Sequence, residues 1–139
     1  MGTRNARATH KRPVQVACGI AVATLLVWAG TAQADEGWQR SGTFSGRSDH
    51  VVTGGVTVTS RGGETVVVLD EDFSLDGAPD PKLGFGADGS APARLFSALR
   101  ETAGPQFYVL PADVDAEDVE GLYVWCEQFS VPLGYASLR

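Results

Sequence analysis

The chain has 139 residues, of which 43% are hydrophobic and 20% are charged, a balance typical of one globular domain rather than two. All 17 acidic residues follow residue 34, whereas four of the 11 basic residues precede it, so residues 35–139 carry a net charge of 7 − 17 = −10. This charge disfavours nucleic acid and anionic membrane surfaces as partners, because both need a basic footprint. Self-repulsion also favours a monomer or a weakly associating protein.

The first 34 residues have the three parts of a secretory signal peptide. A basic start is followed by an apolar run from Val14 to Gly30 and then by Ala32-Gln33-Ala34, a small-x-small pattern typical of a cleavage site. We therefore expect a signal-peptide helix in residues 1–34 and a mature domain over residues 35–139, located in the periplasm or outside the cell. An uncleaved membrane anchor is the alternative, although this run is at the short end of the about 20 residues that an anchor needs.

Short apolar segments alternate with turn residues along the rest of the chain. Strands are predicted over Trp38–Phe44, Val56–Thr59, Thr65–Leu69, Lys82–Phe85, Gln106–Leu110 and Leu122–Val131, with an edge strand at Tyr135–Leu138. Alternation in the second of these strands places valines inward and threonines outward. Gly62-Gly63 predicts a hairpin turn, and the unbroken apolar run of the partner strand predicts burial on both of its faces.

One segment has a helical rather than an extended pattern. Leu95, Phe96 and Leu99 are spaced so that residues 93–101 are predicted to form one or two helical turns. Taken together, the segments predict an all-β domain, either an antiparallel sandwich or a barrel of short strands.

Cys126 is the one thiol that remains after the expected cleavage, because Cys18 lies in the signal segment. A single cysteine in an exported protein is buried and inert, paired with another molecule, or chemically used. The predicted strand around it is apolar on both faces, with Phe129 on the face opposite to the thiol, and this indicates a central strand. A buried thiol without a nearby base has low reactivity, so an inert and a redox-active Cys126 both stay open.

His50 is the only histidine after residue 34, so a zinc or blue-copper site formed within one chain is poorly supplied with ligands. No C-x-x-C-H haem attachment motif occurs, and the sequence identifies no cofactor. Asp72, Asp76 and Asp80 are candidate ligands for a hard cation such as Ca²⁺, although their spacing does not fit an EF-hand loop. A solvated acidic turn is the main interpretation of this loop, and a looser calcium site stays open.

Gly84-Phe85-Gly86-Ala87-Asp88-Gly89 matches the G-x-G-x-x-G pattern of dinucleotide-binding folds. That motif binds a pyrophosphate through the N-terminus of a helix, and Ser90-Ala91-Pro92 begins no helix here. We therefore predict no dinucleotide site.

Several segments, in order, resemble the DM13 family. The C-terminal one is Leu122-Tyr123-Val124-Trp125-Cys126-Glu127-Gln128-Phe129 followed by Leu133-Gly134-Tyr135-Ala136, and the others are Gly104–Pro111, Asp72-Phe73 with Gly77–Asp80, and His50 with Gly54 or Gly55. Two positions depart from the family pattern. Leu133 stands where Phe is usual, and Ala78 interrupts Gly-Pro-Asp.

The resemblance implies a β-rich extracellular domain that takes part in electron transfer with its cysteine as the redox group. Our first hypothesis is therefore a small exported redox accessory that acts through Cys126, alone or with His50 in binding a metal or haem, and that serves a separate redox protein. The second is a non-enzymatic binding or cell-envelope module in which Cys126 only packs, and a calcium-dependent module is one version of it. In neither case do we expect a stand-alone enzyme.

Overall fold

The computed structural model describes Gly2 and residues 36–139, so the predicted signal helix and the Ala34 cleavage site lie outside the described residues. Residues 36–139 form eleven strands and no helix, which confirms the all-β prediction. In this part of the chain, accordingly, no helix is long and apolar enough to cross a membrane. The strands are β1 Trp38–Thr43, β2 Ser45–Gly46, β3 Val52–Thr53, β4 Gly55–Arg61, β5 Glu64–Leu69, β6 Ser74–Leu75, β7 Pro81–Gly86, β8 Arg94–Ala98, β9 Gln106–Val109, β10 Gly121–Cys126 and β11 Val131–Ser137.

Two antiparallel sheets share one apolar core. Sheet A has the strand order β1-β4-β5-β9, sheet B has the order β2-β11-β10-β7-β8, and β3 pairs with β6 in a small separate ladder. The core takes inward side chains from both sheets, including Val58 and Val67 from sheet A and Leu83 and Leu122 from sheet B, all 0% exposed. This arrangement is the sandwich-like fold that the alternating pattern predicts.

The β4–β5 hairpin forms largely as predicted. Val56 and Val58 are buried and the intervening threonines are half-buried, while Gly62 and Gly63 take the positive φ values of 63° and 76° that a tight hairpin turn needs. The expectation that β5 is buried on both faces is wrong, because its second face is only half-covered. Antiparallel sheets commonly leave one face to solvent, and sheet A does so.

Residues 94–98 form a strand, so the predicted helical turns are wrong. β8 pairs with the edge of β7, and Phe96 stacks on Phe85 of that strand with ring centroids 4.9 Å apart. A helix of two turns is marginal on its own in water, whereas pairing satisfies the backbone groups of β7 and buries the same apolar side chains.

The segment predicted as one strand over Leu122–Val131 is a hairpin instead. β10 ends at Cys126, residues 127–130 form an exposed turn in which Ser130 has a φ of 54°, and β11 begins at Val131. Phe129 therefore lies in the turn and is 63% exposed, rather than on the opposite face of a strand. The strand predicted at residues 135–138 is confirmed as the last part of β11, but its predicted position at an edge is wrong, because β11 lies between β2 and β10.

The two lateral sides of the sandwich differ. On one side the chain passes directly from β1 in sheet A to β2 in sheet B, and Ser41 and Arg139 exchange two backbone hydrogen bonds of 3.0 Å. The Arg40 guanidinium reinforces this side by donating to the Leu138 carbonyl at 2.8 Å. The other lateral strand of sheet A is β9, whose one strand neighbour within residues 36–139 is β5.

Candidate functional site

Cys126 is the last residue of β10, the middle strand of sheet B. It pairs with Pro81 of β7 on one side and with Val131 of β11 on the other, and it is 1% exposed. Leu122 and Val124 precede it on the same face, and both are 0% exposed within the same apolar cluster. The predicted central position of this strand is confirmed, and the thiol faces the core.

The opposite face of β10 carries an aromatic cluster. The Tyr123 ring lies edge-on to that of Trp125, with centroids 5.9 Å apart, and 4.7 Å from that of Tyr135. The Tyr123 hydroxyl donates to the Ala87 carbonyl at 2.8 Å and accepts from the Gly89 amide at 3.0 Å. This cluster therefore fixes the loop after β7 and is separated from the thiol by the sheet itself.

Lys82, on the strand next to Cys126, does not lie on the same face of the sheet as the thiol. Lys82 is the cross-strand partner of Trp125, so its side chain lies on the outer face of sheet B. There it contacts Asp80 at 2.9 Å and Glu127 at 3.6 Å, and its hydrogen bond to Asp80 is the main cause that raises the pKa of Lys82. The Lys82 ammonium group therefore pairs with two carboxylates and is not positioned to stabilise a thiolate at Cys126.

His50 lies just before β3 and is held by Asp76, the residue after β6. The His50 Nδ1 atom is 2.9 Å from Asp76 Oδ1, and Asp76 Oδ2 accepts the Val51 amide at 2.9 Å. The Val51 hydrogen bond, followed by the one from His50, lowers the pKa of Asp76. One carboxylate thus fastens the end of the small ladder at which β3 begins and β6 ends.

The other candidate carboxylates have separate partners. Asp72 Oδ1 accepts the Gly55 amide at 2.9 Å, whereas Asp80 pairs with Lys82. Across residues 36–139 no three His, Cys, Asp or Glu side chains are grouped so that they could hold a metal ion. Nor does a hydrogen bond join His50 to Cys126 within that range. The structure therefore brings His50 and Asp76 together, whereas Asp72 and Asp80 have other partners.

A buried polar network in β9 was not identified from the sequence. Gln106 is 8% exposed, and its side-chain oxygen accepts both the Glu101 amide at 3.0 Å and the Tyr108 hydroxyl at 2.6 Å. The Tyr108 hydroxyl in turn accepts the Arg100 amide at 3.1 Å, and burial raises the pKa of Tyr108. The only signal available was a lone amide side chain on the inward face of an otherwise apolar strand.

Comparison with known proteins identifies one relationship. The family model described as Electron transfer DM13 matches residues 43–138, well over half of the chain. No curated protein and no solved structure matches the chain. The matched range runs from the end of β1 to the end of β11, so it includes Cys126, His50 and the β9 network. The chain therefore belongs to the DM13 family, and that membership supports a general role in electron transfer.

Proposed function

We propose that this protein is an exported, non-enzymatic binding accessory of an electron-transfer system, and that Cys126 stabilises its core instead of exchanging electrons. The observation that carries the proposal is the position of the thiol, which is 1% exposed between Pro81 and Val131. Thiol exchange and oxidation to sulfenic acid both need a thiolate that a reagent can approach. An inward-facing side chain that is 1% exposed is closed to such a reagent.

The link to electron transfer comes from the family, and the binding character comes from the surface. Within residues 36–139 no His, Cys, Asp or Glu side chains are grouped to hold a metal ion, and we therefore assign the redox centre of the system to the partner. A net charge of −10 over residues 35–139 favours partner surfaces that are neutral or basic. Export follows from the signal peptide expected in residues 1–34, and N-terminal sequencing of the processed protein tests it.

One observation favours a second candidate, a redox-active Cys126. The thiol directly precedes the exposed turn at residues 127–130, so opening of this hairpin end would uncover it without unfolding the whole domain. In a joint site with His50 the ligand atom would be Nε2, because Nδ1 already contacts Asp76 at 2.9 Å.

Iodoacetamide labelling of the native protein distinguishes the two candidates. We expect Cys126 to be labelled only when the whole domain unfolds. The labelling rate should therefore rise with urea concentration as steeply as global unfolding does. Mass spectrometry of digested protein separates Cys126 from Cys18, and Cys126→Ala is the matched blank. Rapid labelling that is independent of urea would overturn the proposal and support the gated thiol.

Stability provides a second readout of the same proposal. Cys126→Ser should lower the free energy of unfolding by about 1–3 kcal/mol, because it places a hydroxyl in an apolar cluster. An unchanged urea midpoint of unfolding would instead mean that the side chain at position 126 is accessible to water.

A further inference from the structure

An open cleft lies where the β9–β10 connection, residues 110–120, meets the end of β7 and the start of β8. Phe85 of β7 pairs with Arg94 of β8, so both side chains lie on the same face of sheet B. The Arg94 guanidinium reaches the connection and contacts Asp113 at 2.7 Å. These residues line a cleft of about 300 Å³ between the sheet and the connection.

The inner part of this cleft is apolar. The buried Phe85 and Val114 and the half-buried Val119 line it and belong to the main core or pack against it. Ala87 and Ala93 add only methyl groups to its walls. A cleft of this volume is at the lower limit of ligand sites, so it suits a molecule with one ring or a short apolar chain rather than a large cofactor.

The rim of the cleft is acidic. Arg94 offsets the charge of Asp113, and its hydrogen bond is the main cause that lowers the pKa of that carboxyl. Asp115, Asp118 and Glu120 also line the cleft, and within residues 36–139 no Lys, Arg or His side chain forms an ion pair with them. The rim therefore has an excess of negative charge, which favours a cationic ligand and disfavours an anionic one.

A metal ion suits this rim less well than an organic cation does. In the part of the chain that the structure describes, no three His, Cys, Asp or Glu side chains are close enough together to hold a metal ion. Carboxylates spread around an apolar cleft instead favour a cation whose charge is attached to an apolar body, because the body can leave water while the charge stays at the rim.

We infer that this cleft binds a small organic cation, an amine or a quaternary ammonium compound that carries one ring or a short apolar chain. The apolar part occupies the space beside Phe85, Val114 and Val119, and the charged nitrogen lies at the acidic rim. Cys126 does not line the cleft, so this binding site goes beyond the accessory role proposed above.

NMR titration of the isotope-labelled purified protein with benzylammonium tests the inference. We expect shifts at the amides of residues 85–87, 93–94 and 113–120, with a dissociation constant on the order of a millimolar, as suits a ligand of this size. Benzyl alcohol keeps the ring without the charge, and tetramethylammonium keeps the charge without the ring. Each should bind at least about tenfold more weakly, and NaCl should weaken the binding of benzylammonium because salt screens the rim.

One pair of variants tests the acidic rim. Asp118→Asn combined with Glu120→Gln should weaken the binding of benzylammonium about tenfold. The control combines Asp49→Asn with Glu71→Gln, which makes the same change in net charge at exposed carboxylates outside the cleft and should leave the affinity within about twofold.

A second pair tests the apolar part without any change in charge. Ala93→Leu fills part of the cleft and should weaken the binding of benzylammonium at least about tenfold. Ala98→Leu is the control, because it makes the same exchange at an exposed position of β8 outside the cleft. Circular dichroism and melting temperature verify that all four variants are folded.

The inference is overturned if benzyl alcohol binds as tightly as benzylammonium, if the shifts lie outside the cleft, or if either cleft variant binds as tightly as its control. Binding of pentalysine without binding of benzylammonium would also overturn it, because the rim would then attract a basic protein surface and leave the apolar part unused. None of these outcomes depends on the labelling of Cys126, so either proposal can fail alone.

Discussion

Strands β10 and β9 are similarly rich in apolar residues, yet one is closed on both faces and the other on only one. In β10 every residue from Gly121 to Cys126 is buried except Trp125, which is half-buried. In β9, Gln106 and Tyr108 are buried while Phe107 and Val109 are exposed. The difference arises because β10 has two strand neighbours and a second face covered by the loop after β7, whereas β9 has one neighbour and no outer cover within residues 36–139. The comparison shows that Cys126 lies in a strand that is covered on both faces, whereas the exposed apolar side chains lie on β9.

The largest expected effect comes from truncating one side chain in each strand. Leu122→Ala in β10 should lower the free energy of unfolding by about 2–5 kcal/mol, since it leaves a cavity beneath a fully buried site. Phe107→Ala in β9 removes a larger side chain but should change the free energy of unfolding by no more than about 0.5 kcal/mol, because that ring is mostly in solvent.

Urea denaturation of both variants measures this contrast. The comparison between the strands is broken if Phe107→Ala is as destabilising as Leu122→Ala. That result would mean that the outer face of sheet A is covered within a single chain.

A smaller effect tests whether the side-chain hydrogen bonds of β9 stabilise the fold as much as those of β10 do. Tyr108→Phe removes the hydroxyl that donates to Gln106 and accepts from the Arg100 amide, and it should cost about 1 kcal/mol. Tyr123→Phe is the matched change in β10, since that hydroxyl also has one donor and one acceptor partner. Similar losses in thermal melting are expected, and a neutral Tyr108→Phe would show that the β9 network carries no net stability.

Local pattern was sufficient for much of the fold. Alternation of valine with threonine in β4, and Gly62-Gly63 after it, predicts both the hairpin and its inward face, because a strand with one buried face has a period of two. The pattern failed at β8 and at the β10–β11 turn. Whether Leu95 and Phe96 extend a strand depends on the unpaired edge of β7, and no local pattern contains that edge.

The candidate site was less predictable than the fold. Apolar residues on both faces of its segment placed Cys126 on a central strand, which the structure confirms. The pairing of His50 with Asp76 joins residues 26 positions apart that the β3–β6 ladder brings together, so local pattern does not reveal it. Asp80 instead pairs with its near neighbour Lys82. Membership of the family indicates electron transfer in general but does not specify which of these side chains carries it.

The last prediction concerns acid and distinguishes the β3–β6 ladder from β9. The Val51 and His50 hydrogen bonds lower the folded pKa of Asp76 below its ordinary value of 3.8. A carboxyl group of this kind contributes stability above its unfolded pKa, and that stability is lost as pH falls through the lower folded pKa. The stability gap between wild type and Asp76→Asn should therefore be full near pH 7 and should narrow progressively below about pH 4.

Amide hydrogen exchange locates this loss. The Val51 amide should lose protection as Asp76 becomes protonated, and because Val52 packs against the position of Gly134, the change should extend towards β11. Asp113→Asn is the matched control, because Arg94 lowers the pKa of that carboxyl too, but at a site remote from Val51 in the hydrogen-bond pattern. If acid released the amides of β9 before that of Val51, the Asp76 contact would not be the first to fail in acid, and β9 would be the less stable region of the domain.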